Sequence, residues 1–283
     1  MCCVCKGLTF LLLPFKNLTS ALSDQTTPVI FSIITVVYNG ENMLPGTMES
    51  VLRQSYPHVE YIVVDGASKD GTVKIIKEYA TKMPHLRWNS APDTGLYDAM
   101  NKGLRMATGD FVQFLNAGDW LHAPDTLEKM AAMVTPRTGV LYGETMLVDE
   151  NRQPHGTMSE LSTRQCPTHL SWKKYLSGML VVHQSFVPRR SLASEYRVDA
   201  GLCSDYDWCI EILKKSQENI RVGGIVTNYL MGGLSKKRHR ESLSNRYDVM
   251  RRHFGLLPTI GAHIWIVIRA GWHRFRRWGM EQY

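Results

Sequence analysis

Several places in the sequence combine acids, amides and glycine in patterns that could do chemistry. Three of them close short apolar runs: Tyr38-Asn39-Gly40 follows Phe31 to Val37, Asp65-Gly66 follows Tyr61 to Val64, and Asn116-Ala117-Gly118-Asp119 follows Phe111 to Leu115. A fourth is the string PDTGLYDAMNKG from Pro92 to Gly103, and a fifth is Ser204-Asp205-Tyr206-Asp207-Trp208. Carboxylates in such positions accept hydrogen bonds from hydroxyls, hold a hard cation, or take a proton from a nucleophile. A single Asp after a strand is usually a cap or a turn residue. Three strand ends carrying Asn or Asp point instead to one shared site.

The elements that must position these groups can be read from periodicity. Phe31 to Val37 is a β-branched apolar run followed by helical spacing from Leu44 to Gln54. Tyr61 to Val64 reads as a second buried strand, and Ser68 to Thr72 as a turn into a helix of about ten residues. A helix begins near Tyr97 and closes at Ala107-Thr108-Gly109-Asp110, before the strand Phe111 to Leu115. Within that helix Asp98, Asn101 and Lys102 are spaced i, i+3, i+4 and share one face. Alternating strands and helices predict an α/β fold with a mostly parallel sheet flanked by helices, whose ligands sit at the carboxyl ends of the strands. Further on, Val140 to Tyr142 and Met179 to Val182 look strand-like, Glu150 to Thr168 reads as a polar loop, and a helix runs from Ser204 to about Lys215.

Charge and composition narrow the class. The formal net charge is +7, yet from Lys236 onward eleven Lys/Arg face three Asp/Glu, so the preceding 235 residues, with 22 basic and 23 acidic groups, are nearly neutral. A nucleic-acid-binding protein would spread that charge over its body. The chain carries six cysteines and no CxxC pair, which argues against a zinc site and favours reduced thiols. The apolar run Leu8 to Phe15 is broken by Pro14 and too short for a span of about 20 residues. Residues 1–28 therefore read as an extension, 29–235 as the folded domain, and 236–283 as a basic, partly amphipathic segment. In that segment Leu256 to Ala270 is apolar and leads into Gly271-Trp272-His273-Arg274-Phe275-Arg276-Arg277-Trp278, a mixture suited to an anionic lipid interface.

The motifs SIITVVYNG, VVDGASKDGT, PDTGLYDAMNKG, FLNAGD, HQSFV, SDYDW and MGGLS occur in this order between Ser32 and Ser235. This order resembles the family 2 glycosyltransferases of the GT-A fold, and within them the bacterial exopolysaccharide and colanic acid biosynthesis enzymes. The resemblance implies a nucleotide-sugar donor, a UDP-sugar in the first instance, held by Thr35, Val37, Asn39, Asp65, Asp93, Gly95, Tyr97, Asp98, Asn101, Lys102 and Asn116. It implies Asp205 as the base of an inverting transfer, with Asp207 as the alternative. His183, Gln184, Asp207, Trp208 and Ser235 fall in the acceptor region or the closing segment. It also implies Mg²⁺ or Mn²⁺ on Asp119, although Asn116 and Gly118 replace carboxylates found in many members. Ser204 likewise stands where Glu is more usual beside the base.

The implied partners are the donor, a glycan or lipid-linked acceptor and the inner-membrane surface, with no nucleic acid; the implied location is cytoplasmic, peripheral on the inner face of the cytoplasmic membrane. Rival readings predict other signatures. A nucleotidyltransferase would carry a Gly-rich, basic phosphate loop where Tyr38-Asn39-Gly40-Glu41-Asn42 stands, and a dinucleotide-dependent dehydrogenase would carry GxGxxG after the first strand.

Overall fold

The computed structural model describes residues 27–232 and 238–278. A four-stranded parallel sheet forms the first part of the fold, in the order β3-β2-β1-β4, from β1 (Phe31–Val37), β2 (Val59–Asp65), β3 (Leu86–Ser90) and β4 (Phe111–Phe114). Every residue of β1 is buried, because β2 and β4 flank it and helices cover both of its faces. Side-chain alternation divides the core accordingly. Ile34 and Val36 pack with Ile62, Val64 and the helix α3 (Leu96–Met106). Phe31, Ile33 and Val37 pack with α1 (Leu44–Leu52) and α2 (Thr72–Lys82) on the other face.

Gly103 explains how closely α3 lies on this sheet. A β-carbon at that position would stand 2.4 Å from Ile34 Cγ2. β3 was not foreseen: in LRWNS the alternation is only two apolar residues long, Leu86 and Trp88 packing inward while Arg87 and Asn89 face solvent on an edge strand.

The second sheet has the order β5-β9-β6-β7, with β8 also paired to β6. Its strands are β5 (Trp120–Leu121), β6 (Thr138–Val148), β7 (Pro154–Thr157), β8 (Phe186–Pro188) and β9 (Glu218–Leu230). β6 and β9 run parallel and the other pairings are antiparallel. A bridge between Phe111 and Arg189 ties β4 to the end of β8 and so joins the two sheets. The short helices α4 (Thr126–Ala131) and α5 (Met158–Leu161) pack at its margins.

Two expectations change here. Met179 to Val182 is irregular rather than a strand, and is followed by a 3-10 turn at His183–Ser185 that leads into β8. The polar stretch from Glu150 to Thr168 contains β7 and α5. The remaining helices are α6 (Ser204–Lys215), α7 (His239–Phe254) and α8 (Leu256–Trp278).

Candidate active site

The strand ends of the first sheet meet as the alternation predicted. Asp65 is fully buried at the end of β2, and its carboxylate accepts from Ser68 N at 3.0 Å, from Ser90 Oγ at 2.6 Å and from Ser68 Oγ. Asn39 adopts a left-handed φ of 49° and braces the same turn: its N–H donates to Ser68 Oγ at 2.7 Å, and its Oδ1 accepts from Lys69 N at 2.9 Å. Thr35 and Val37 lie inside the sheet. Thr35 Oγ1 donates to Leu115 O at 2.7 Å, and Val37 O accepts from Gly66 N at 2.9 Å. Their contact with a ligand is thereby limited to what the turn they hold can offer.

Tyr38 was not among the expected contacts, although an aromatic residue at a strand end was the signal for it. It is 61% exposed. A β-carbon placed on Gly66 would stand 3.3 Å from Tyr38 Cδ2 and 2.5 Å from Asp93 Oδ2. An exposed ring, a carboxylate and a bare stretch of backbone therefore adjoin at one spot.

In the segment from Pro92 to Gly103, Asp93 Oδ1 accepts from Gly95 N at 2.9 Å, and Gly95 has the φ of 134° that allows the loop to turn into α3. Thr94 N–H, together with Lys102 at 3.1 Å, holds the Asp98 carboxyl below its usual value. Lys102 Nζ also reaches Pro92 O at 2.8 Å, so the loop is stapled to its own helix. Asn101 departs from the expected shared face. It is buried, its Nδ2 donating to Tyr196 O at 3.0 Å and its Oδ1 accepting from Tyr196 N at 2.7 Å. Both ends of the amide are satisfied, which makes Asn101 a clamp and not a ligand contact.

Tyr97 points from this helix to the start of α6. Its ring packs on Tyr196 at 5.5 Å and its hydroxyl donates to Leu202 O at 3.2 Å. The Tyr97 hydroxyl also faces Asp205. Burial pushes the Asp205 carboxyl up to about 6, against the lowering effect of the Tyr206 N–H at 2.8 Å and the Tyr97 hydroxyl. A carboxylate in that range is ionised near neutral pH and a better proton acceptor than an ordinary one.

Three residues expected near an acceptor belong to the core instead. His183 is buried, stacked on Phe114 with Nε2 at 2.7 Å from the Tyr196 hydroxyl, and burial lowers it to about 3, leaving it neutral. Trp208 stacks on Tyr196 at 4.7 Å and donates to Ser194 O at 2.7 Å. Asp207 is buried on the far side of α6 from Asp205, bound to Arg252 at 3.1 Å and His253 at 2.8 Å. Burial alone would raise Asp207, but His253 and Arg252 hold it below its usual value.

Asp119 occupies the third strand end, nearly fully buried. Its Oδ2 accepts from Gln184 Nε2 at 2.9 Å and its Oδ1 from Leu230 N at 2.9 Å, while burial pushes the carboxyl up to about 7. Thr47 holds this loop from α1, accepting from Gly118 N at 3.0 Å and donating to Asp119 O at 2.7 Å, a role with no sequence signal. Tyr229 is within electrostatic reach of both Asp119 and Asp205, so the two acids border one region.

The sequence profile described as "Glycosyl transferase family 2" matches residues 32–195, which include all three strand ends and the segment from Pro92 to Gly103. The chain belongs to glycosyltransferase family 2. A PGL/p-HBAD biosynthesis glycosyltransferase of Mycobacterium bovis is 35% identical to this transferase over 252 residues, spanning 86% of this chain and 91% of its own length. Among solved structures, the mannosyltransferase PcManGT from Pyrobaculum calidifontis, in complex with GDP-Man and Mn²⁺, superimposes with a TM-score of 0.64 at 21% identity, covering 86% of this chain and 71% of its own. TarS residues 1–349 from S. aureus, in complex with UDP-GlcNAc, gives a TM-score of 0.60 at 18% identity, covering 79% of this chain and 65% of its own. The fold of this transferase is thus GT-A.

A divalent cation can be tested against the residues present. Among the described residues no group of three His, Cys, Asp or Glu side chains could hold a metal. Asn116 Oδ1, however, is buried with no hydrogen-bond partner among the described residues, three residues from Asp119. Each Asp119 oxygen still has a lone pair beyond the one already used. One carboxylate and one amide oxygen suit Mg²⁺ or Mn²⁺ when substrate phosphates complete the shell, so these residues fit the ion. Ser235, expected in the closing segment, lies outside the described residues.

Proposed function

We propose that this transferase moves a sugar from a nucleotide-sugar donor, a UDP-sugar first, to a hydroxyl of a glycan or lipid-linked acceptor, inverting the anomeric centre, during exopolysaccharide assembly on the inner face of the cytoplasmic membrane. The observation that carries the reading is Asp205. The residue is half-buried, and its carboxyl, raised by burial to about 6, adjoins Tyr97 of the segment that the family resemblance assigns to the donor.

The nucleobase would stack on the Tyr38 ring beside Asp93 and the backbone at Gly66. Asp205 takes the acceptor hydroxyl proton as that oxygen bonds to the anomeric carbon, and the bond to the diphosphate breaks on the opposite side. Asp119 and Asn116 would hold a divalent ion, which would supply charge neutralisation for the departing diphosphate. The M. bovis relative, a biosynthetic glycosyltransferase by name, and the fold relatives in complex with UDP-GlcNAc and with GDP-Man support a nucleotide-sugar donor. Membrane attachment rests on α8, whose exposed side is apolar although no described helix is long and apolar enough to cross a bilayer.

The test is a panel of UDP-, GDP- and dTDP-sugars with and without Mn²⁺, scored for nucleoside diphosphate release and for transfer to lipid extract. Asp205→Asn should abolish transfer and retain donor affinity. A variant as active as the parent would remove Asp205 from the chemistry.

A further inference from the structure

Three arginines gather between the turn after α5 and the two C-terminal helices: Arg164, Arg246 on α7 and Arg269 on α8. None of them is in an ion pair with an acid among the described residues. The Arg164 guanidinium is held by a backbone carbonyl, donating through Nη1 to Met179 O at 3.2 Å. Arg269 Nε is buried with no hydrogen-bond partner among the described residues. Burial and then the proximity of Arg246 and Arg269 pull the Arg164 guanidinium below its ordinary value. Half-buried like charges left without an anion are costly, and a guanidinium fork is shaped to bind the oxygens of a phosphate.

Through Asn245, its neighbour, Arg246 connects to the segment leading into α6, whose first turn carries the proposed base. Asn245, adjacent to Arg246, accepts from Leu202 N through Oδ1 at 3.0 Å, and Leu202 O in turn accepts from Tyr97. Arg246 is also within electrostatic reach of Cys203 and Tyr206, which bracket Asp205 closely in sequence.

The orientation of α8 supplies the second observation. Leu257, Ile260, Ile264, Val267 and Ile268 recur at three- and four-residue spacing and are exposed, Leu257 by 80% and Val267 by 70%. Thr259 and Ala262, on the opposite side, pack inward, and Arg269 Nε is buried near that side. The helix thus turns its apolar face out and this cation in, the reverse of a soluble surface helix.

We propose that Arg164, Arg246 and Arg269 form a site for the phosphate of a lipid-linked acceptor whose hydrocarbon chain lies along the exposed face of α8. The proposal rests on the reading of the acceptor as lipid-linked and adds the residues that would recognise it. Bound this way, a phosphate held beside Arg246 brings the attached glycan towards Asp205, while the chain remains in the bilayer surface.

The test uses the full-length chain and phosphatidylcholine vesicles containing either a prenyl phosphate or the corresponding prenol, with soluble UDP binding measured in parallel. Arg246→Gln and Arg269→Gln are each expected to weaken binding to the prenyl phosphate vesicles by at least about tenfold, the loss of one charge-assisted contact. Binding to prenol vesicles and to UDP should stay at the parental level, which also shows that the variants are folded. Parental affinity of both variants for prenyl phosphate vesicles overturns the proposal. So does an equal loss on prenol vesicles, which would make the role one of packing, or a loss confined to UDP, which would give the arginines to the donor diphosphate. A parent chain that binds no nucleotide sugar but shows the arginine-dependent preference would instead sink the donor reading and leave this site standing.

Discussion

Gln184 Nε2 donates to Asp119 Oδ2 across 2.9 Å, joining the 3-10 turn before β8 to the loop after β4. The resemblance suggested an acceptor-site or a metal-side contact for Gln184; its hydrogen bond is on the metal side, positioning the acid to which the resemblance assigns a cation. Gln184→Leu should therefore lower stability at pH 8 by about 1.5–3 kcal/mol, the range for a hydrogen bond to a charged group. Urea unfolding measures this, and a rise in the Mn²⁺ concentration needed for half-maximal turnover would accompany it.

With Asp205 as the proposed base, turnover should have an acidic limit. A base must be unprotonated, and burial has raised this one to about 6, so kcat/KM should be level above pH 7 and fall tenfold per unit well below pH 6. A pH–rate profile that stays flat down to pH 5 would assign proton removal to another group.

Asp207 makes the opposite prediction from its neighbour two residues away. It is buried against Arg252 and His253, and removing one partner of such a group leaves charge uncompensated. Asp207→Ala should cost about 3–5 kcal/mol in denaturant unfolding, with transfer per folded molecule retained. Because its folded carboxyl lies below the usual value, its stabilisation is present above the unfolded carboxylate range and is lost as pH falls through the folded one.

Chelation should arrest nucleoside diphosphate release, and added Mn²⁺ or Mg²⁺ should restore it. Asn116→Ala removes the unpartnered amide oxygen beside Asp119. It should raise the ion concentration required by about tenfold, the order seen when a supporting contact to a metal is lost. Turnover that is indifferent to chelator would show that Asp119 serves the loop alone.

The first sheet was legible because β1 and β2 are continuous apolar runs that end abruptly at polar residues, the signature of buried parallel strands. The strand ends, and with them Asp65, Asn116 and Asp119, followed directly. Asp205 as base and Pro92 to Gly103 as donor segment are expectations that rest on the resemblance to the family. What stayed hidden depends on distant partners. A His after an apolar run looks the same whether it faces a ligand or, like His183, a phenylalanine and a tyrosine hydroxyl. Asn101 sits at helical spacing with Asp98 and Lys102, yet its amide faces a backbone segment far along the chain. Met179 to Val182 has the composition of a strand but no neighbour to pair with.

That distance has a consequence for synthesis. Asn101 holds both backbone groups of Tyr196, 95 residues further on, and Tyr196 carries Tyr97 and Trp208 on its ring. At about 5–20 residues per second, a ribosome has made all four strands of the parallel sheet some seconds before it delivers the residue that locks the segment from Pro92 to Gly103 in place. A nascent chain halted before Tyr196 lacks both partners of the Asn101 amide, so the segment from Pro92 to Gly103 is fastened only once Tyr196 has emerged.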